Sequence, residues 1–206
     1  MANESEEDIV HKKIAPLMEA IGHVAHHWSV LEYEINQMIW ALAGLNPADG
    51  ACITAQIASV LPRLRALIAL ADQHGASPEL LQDLNKFSGR ADAAARQRNR
   101  ILHDPWFFRE YQGKQFTVVE YGRLEVTADR RLAYAMKTQS RKEVLDVAHV
   151  IIAIRDEYRA LRGRIHAELK EQLESRLGKS LEDFLRYPIP DSETKPPPPP
   201  PQPSRG

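Results

Sequence analysis

A length of 206 residues predicts one domain, with or without an additional tail. The chain is 43% hydrophobic and 27% charged, close to the average for globular proteins. Its single cysteine, Cys52, excludes an intrachain disulfide framework and a cysteine-rich zinc site. The net charge of −1 gives no global sign of a polyanionic partner, so any site for nucleic acid has to be a local patch.

The N-terminal segment is acidic and polar, which differs from the pattern of a signal or transit peptide. We expect residues 1–13 to form a flexible acidic N-terminus. No apolar run approaches the length of a membrane span. These features predict a cytoplasmic protein with no membrane partner.

The first long helix is predicted by apolar residues whose spacing alternates between three and four positions. Because proline is tolerated only in the first turn of a helix, Pro16 places the predicted start near Ala15, and Gly44 follows its end. Such a helix is roughly 42 Å long. Its line of apolar residues, the apolar seam, is longer than a small core needs, which favours packing between two chains. The seam residues are Ile14, Leu17, Ile21, Val24, Trp28, Leu31, Ile35, Met38 and Leu42.

Two further helices are predicted before residue 104. The second covers residues 51–72, and Pro62 should kink it or restart it. The third begins after Ser77, a typical N-cap residue, and runs to about His103. It should stop there because Asp104 precedes a proline, which disfavours helical backbone.

The residue pattern changes at residues 107–136, where short runs of alternating apolar and polar residues are separated by turn residues. This pattern predicts a small three-stranded antiparallel meander before the last helix. That helix should begin after Ser140, with Glu143 completing a capping box, and end at Gly178. Beyond Ile165 its apolar face becomes sparse and charged, so we expect that end to project into solvent.

Residues 178–206 are predicted to contain a short turn and then a disordered proline-rich tail. Six consecutive prolines occupy positions 196–201. Such a run is typical either of a ligand for an SH3-like domain or of an inert spacer.

The residues that carry chemistry lie at the end of the third helix. Between residues 86 and 104, five cationic side chains stand against two acidic ones, a local enrichment in a nearly neutral chain. Asn99 and His103 are four positions apart and share a helix face. His103 lies in the last turn, where carbonyls favour the imidazolium and neighbouring arginines oppose it. An imidazole under both influences is suited to acid–base chemistry near neutral pH.

The segment Arg98-Asn99-x-x-x-His103 resembles the Arg-x4–6-His signature of HEPN domains. Its context is similar too, with Trp28 and Glu32 on a long first helix and Asp104-Pro105-Trp106 after the histidine. The resemblance covers roughly residues 15–170. It implies a mainly α fold: a four-to-five-helix HEPN-like bundle over residues 14–177, with the meander as an insertion.

The resemblance also implies a function. HEPN proteins are often metal-independent endoribonucleases that act as dimers and bring two such motifs together. Arg98, Asn99 and His103 would then be catalytic, with no cofactor, RNA as substrate and a homodimer as the active form. The family further suggests a role in toxin–antitoxin systems or phage defence, with an antitoxin or regulatory protein as partner. Supporting or RNA-binding residues would be Arg96, Arg100, Glu32 and Trp106.

Other interpretations of these residues remain open. The arginines and His103 also fit a solvated helix end with a capping histidine, and many HEPN-like domains are non-catalytic scaffolds that bind RNA or protein. Glu32 on such a helix is more often a solvated side chain or part of a structural ion pair, and Trp106 could stack on a base or, more often, fill the core. His23 and His27 have the spacing of metal ligands, but no third ligand follows the pattern of a zinc site, so we expect no metal.

Overall fold

The computed structural model describes residues 6–112, 117–129 and 131–178, together with Ser180 and Phe184. These residues are mainly helical, as predicted. The helices are α1 (Glu6–Ala43), α2 (Pro47–Thr54), α3 (Val60–Gln73), α4 (Pro78–His103) and α5 (Arg141–Leu177). The strands are β1 (Trp106–Gln112), β2 (Thr117–Asp129) and β3 (Arg131–Thr138).

The three strands lie between α4 and α5 in the chain, around the segment predicted as a meander. They pair antiparallel in the order β1-β2-β3. In this register Arg123 of β2 stands directly opposite Trp106 of β1 on one side and Lys137 of β3 on the other. This row across the sheet is close to the end of α4, because β1 begins three residues after that helix.

The apolar seam of α1 lies at the centre of the core, and most of its residues are fully buried within the single chain. The expected excess of seam for packing against a second chain is therefore not found among the described residues. Trp28 is only 2% exposed, and Phe87 of α4 packs against Tyr158 of α5 with ring centroids 5.7 Å apart. Helices α1, α3, α4 and α5 all contribute to this one cluster. The most deeply buried large side chains include Leu17, Leu31, Ile35, Met38, Leu42, Leu64, Leu67, Leu80 and Leu84.

Helix α1 begins at Glu6, so its predicted start near Ala15 is wrong, and Pro16 lies inside the helix. The predicted flexible segment 1–13 is therefore helical from Glu6; residues 1–5 lie outside the described part of the chain. A proline removes only one backbone N–H, and neighbouring contacts can offset that loss. Here Nε of Arg141 donates to the Pro16 carbonyl at 3.1 Å, and its Nη2 lies 3.5 Å from Glu19.

The predicted second helix is divided into α2 and α3, and Pro62 lies in the first turn of α3. The prediction that this proline restarts the helix is therefore confirmed. Asn46 caps α2, because its side chain accepts from two backbone N–H groups, and Pro47 is the first residue of that helix. The indole of Trp40 donates to Thr54 at 3.1 Å and holds α2 against α1.

The predicted ends of α4 and the start of α5 are confirmed. Ser77 caps α4, which ends at His103, and Asp104 is extended with ψ 138°. Ser140 and Glu143 form the predicted capping box of α5, and Gly178 ends the helix in the left-handed conformation.

The prediction that α5 projects into solvent beyond Ile165 is wrong. Leu169 and Leu173 are fully buried, and Phe184 is 5% exposed. The apolar residues at 165, 169 and 173 continue the seam at a spacing of four, so the charged residues between them simply occupy the opposite face. Apart from Ser180 and Phe184, the predicted tail after Gly178 lies outside the described residues.

Candidate functional site at the end of α4

The Asp104-Pro105-Trp106 segment fixes the end of α4 to the sheet. Asp104 accepts a hydrogen bond from Nη1 of Arg123 at 2.8 Å, and its carboxylate lies 3.7 Å from Arg100. The indole of Trp106 donates to the Ile101 carbonyl at 2.9 Å, which satisfies one of the carbonyls left open at a helix C-terminus. Trp106 is partly buried against the core, so its position matches the core-filling interpretation.

Arg98 points from α4 toward α1. Its guanidinium carbon lies 5.8 Å from the centre of the Trp28 ring, and its Nη1 donates to Oδ1 of Asn99 at 2.8 Å. Burial lowers the pKa of Arg98, while the nearby Glu32 carboxylate acts in the opposite direction. Arg98 is thus a half-buried cation whose place is set by an aromatic ring of the core.

Glu32 occupies the space between two guanidinium groups. Its Oε1 lies 3.0 Å from Nη1 of Arg63 on α3, and it is close enough to Arg98 to influence the pKa of that side chain. Arg63 also donates to the Thr54 carbonyl at 3.4 Å. Glu32 therefore forms an ion pair with Arg63, which matches the structural ion-pair interpretation, and it also lies near enough to Arg98 to act on its pKa.

Asn99 and His103 are exposed on the solvent side of α4. A helix turns about 100° per residue, so Arg98 and His103 are directed well apart around the axis. Among the described residues, no hydrogen bond or ion pair connects Arg98 to His103. Within one chain the two ends of the motif are therefore linked only through Asn99, which contacts Arg98 and shares a face with His103.

Arg96 and Arg100 lie on the side of α4 away from Arg98, where they line a cleft of about 390 Å³ between the helix, the sheet and the start of α5. Arg96 pairs with Asp92, and Arg100 lies beside Asp104. Sequence reasoning missed three other residues of this cleft: Arg123, Lys137 and Gln139. The sequence carries only a weak signal for these three residues, because only the strand register shows that Arg123 and Lys137 are adjacent.

The histidines of α1 form a separate group. Nη1 of Arg155 lies 3.1 Å from Nδ1 of His27, and the His27 ring contacts those of His23 and His26. In the part of the chain that the structure describes, no three or more histidine, cysteine or acidic side chains are arranged to hold a metal ion. Nδ1 of His27 is directed at the Arg155 cation.

This contact predicts a pH effect on stability. Burial lowers the pKa of His27 below 6.5, and Arg155 adds to that effect. The unfolded chain therefore binds the proton first, so this residue should reduce stability progressively as the pH falls below about 6.5. Above that pH the contribution should be constant.

The measurement is the urea midpoint from pH 8 to pH 5 for wild type and His27→Gln. The variant should lose less stability on acidification. His149→Gln is the matched control, because it removes an exposed imidazole of α5 that is not among the groups acting on His27. Identical pH profiles for wild type and His27→Gln would contradict the prediction.

The sequence matches no protein-family model, and no curated protein or solved structure is significantly similar to it. Among the described helices, none combines the length and apolar character needed to cross a membrane. A functional argument therefore depends on the residues at the end of α4.

Proposed function

We propose that this chain is an HEPN-like, metal-independent endoribonuclease that acts as a homodimer. The observation that carries the proposal is the end of α4, where the exposed Asn99 and His103 lie next to Arg98 on one side and a cationic cleft on the other. RNA cleavage of this kind needs cations for the phosphate and a titratable group that water and substrate can reach.

The chemistry explains why a dimer is needed. When a ribose 2′-hydroxyl attacks the adjacent phosphate, one group must accept the hydroxyl proton and another must give a proton to the leaving 5′-oxygen. One chain supplies one His103, whereas two copies across an interface supply both groups. Arg98 would stabilise the charge that develops on the phosphate.

Asn99 would connect these two roles. Its amide oxygen accepts from Arg98, so its N–H groups remain available as donors on the face that it shares with His103. Asn99 would then orient the phosphate or the histidine, and Arg98 would hold Asn99 in place. Arg96, Arg100, Glu32 and Trp106 would support the site, the first two by attracting RNA and the last two by fixing its framework.

The test is incubation of the wild-type protein with single-stranded RNA in excess EDTA, with analysis of the product ends. We expect cleavage that leaves 2′,3′-cyclic phosphate, and a dimer by light scattering at micromolar concentration. The absence of cleavage on any RNA, or a strict monomer that cleaves, would overturn the shared-site mechanism.

A second candidate is a non-catalytic dimer that binds RNA. The observation in its favour is that the cationic cleft lies on a different side of α4 from Arg98, so RNA could bind there without reaching the motif. Salt-dependent binding without any product would favour this function. A role in toxin–antitoxin systems or phage defence, with an antitoxin or regulatory protein as partner, has only the family resemblance in support.

A further inference from the structure

The cleft beside α4 has the size and the lining of a ligand site. Its volume of about 390 Å³ falls in the range of small-molecule pockets. Three elements form its walls: the last turns of α4, the row of the sheet that contains Arg123, and the first turns of α5. The lining residues are Arg96, Gln97, Arg100, Ile101, Arg123, Lys137, Gln139, Glu143 and Val147.

The charge of this lining is unbalanced. Four cationic side chains face a single lining carboxylate, that of Glu143. This carboxylate already accepts from the Ser140 backbone N–H and hydroxyl, at 2.6 and 2.9 Å, and those bonds lower the pKa of Glu143. Asp104, behind the cleft, offsets Arg123 and lies beside Arg100, and Asp92 pairs with Arg96. Counted against these two carboxylates and Glu143, the four cations of the lining leave an excess of one positive charge.

The positions of two of these cations, taken by themselves, destabilise the sheet. Arg123 and Lys137 are directly opposite each other on neighbouring strands, a position in which like charges destabilise a sheet. Arg123 is also 5% exposed, so its guanidinium is largely removed from water. The Asp104 carboxylate already lies against Arg123 and near Arg100, and an anion that also reaches Lys137 would offset the repulsion that remains.

Gln139 adds a polar group that points to a ligand. The residue is 9% exposed and lines the cleft, and its Oε1 has no hydrogen-bond partner among the residues that the structure describes. A buried amide oxygen without a donor is costly, so a ligand hydroxyl or N–H would be favoured there. The N-terminus of α5 begins one residue after Ser140, and its dipole also favours negative charge nearby.

We infer that this cleft binds the phosphate of a ribonucleotide, with Arg96, Arg100, Arg123 and Lys137 holding the phosphate and Gln139 accepting a hydrogen bond from the sugar or base. The phosphate can belong to a free mononucleotide or to RNA. The inference extends the proposed function by adding a binding site apart from Arg98 and His103, but it does not require cleavage.

The experiment measures binding by titration calorimetry at low salt with AMP, adenosine and a short 2′-O-methyl RNA, prepared with either a 5′-phosphate or a 5′-hydroxyl. The methylated RNA has no attacking hydroxyl, so binding is measured independently of cleavage. AMP should bind and adenosine should bind at least about tenfold more weakly. Preference for the 5′-phosphorylated RNA would assign the site to a terminal phosphate, and equal binding of both RNAs would assign it to the backbone.

Lys137→Glu is the main variant, because its side chain is exposed and the fold does not depend on it. It should weaken AMP binding at least about tenfold, and Lys137→Ala should weaken it less while reducing the salt slope for RNA by about one. Gln139→Met should weaken AMP binding without changing the salt slope. Arg65→Glu is the matched control, since it makes the same change in side-chain charge at an exposed arginine outside the cleft.

Equal binding of AMP and adenosine would overturn the inference, as would equal effects of Lys137→Glu and Arg65→Glu. Thermal melts of each variant separate loss of binding from loss of fold. A wild-type protein that binds AMP and the methylated RNA but cleaves no RNA would uphold the inference while the proposed nuclease function failed. A wild-type protein that cleaves RNA but does not bind AMP or the methylated RNA in the cleft would uphold the proposed nuclease function and overturn the inference.

Discussion

Replacement of His103 by alanine should lower the rate of RNA cleavage by about 10²–10⁴-fold, the usual contribution of general acid–base catalysis. The side chain is exposed at the last turn of α4, and no hydrogen bond or ion pair of the described residues uses it. Its removal should therefore leave the thermal midpoint almost unchanged. His149→Ala, at an exposed histidine of α5, is the matched control and should retain wild-type cleavage.

Mixed dimers provide a sharper version of this experiment. If each site uses both copies of His103, wild-type protomers paired with His103→Ala protomers should be inactive. Activity after subunit exchange should then fall with the square of the wild-type fraction. A linear fall would show that one histidine is enough, and equal cleavage by wild type and His103→Ala would remove the residue from the mechanism.

Replacement of Trp28 by alanine should have the largest effect on stability, about 3–5 kcal/mol of unfolding free energy. The indole is 2% exposed at the centre of the α1 seam, so its removal leaves a cavity that the surrounding helices cannot easily close. The same ring supports the guanidinium of Arg98. The variant should therefore also loosen the position of that arginine.

Urea unfolding followed by circular dichroism measures this loss. Trp28→Phe is the matched control, because it retains an aromatic face beneath Arg98 and most of the buried volume. We expect it to cost less than half as much as the alanine variant. A loss below about 1 kcal/mol for Trp28→Ala would contradict the described packing of α1.

The sequence predicted those elements whose ends depend on local chemistry. Ser77, Asp104-Pro105 and the Ser140–Glu143 capping box each determine backbone conformation within a few residues, and all three mark helix ends in the structure. Helix α1 continues through Pro16 against the local rule, and the contact that the Pro16 carbonyl makes comes from Arg141, 125 residues away in the chain. No local pattern contains that information.

The candidate site, too, was predictable only where its geometry depends on local sequence. The positions of Asn99 and His103 on one helix face follow from their spacing alone. The direction of Arg98 does not, because it depends on Trp28 of another helix. The cleft was also outside the reach of sequence reasoning, since Arg123, Lys137 and Gln139 approach α4 only through strand pairing and the start of α5.

The length of α5 has a practical consequence for experiments on this protein. The helix has 37 residues, and the cleft is at its first turns, so Gly178 at its other end is roughly 50 Å away. A fluorophore or affinity handle attached on the last turn of α5 would therefore lie at the far end of this helix from the cleft. Placed there, it allows titrations and surface immobilisation that leave the entrance to the cleft open.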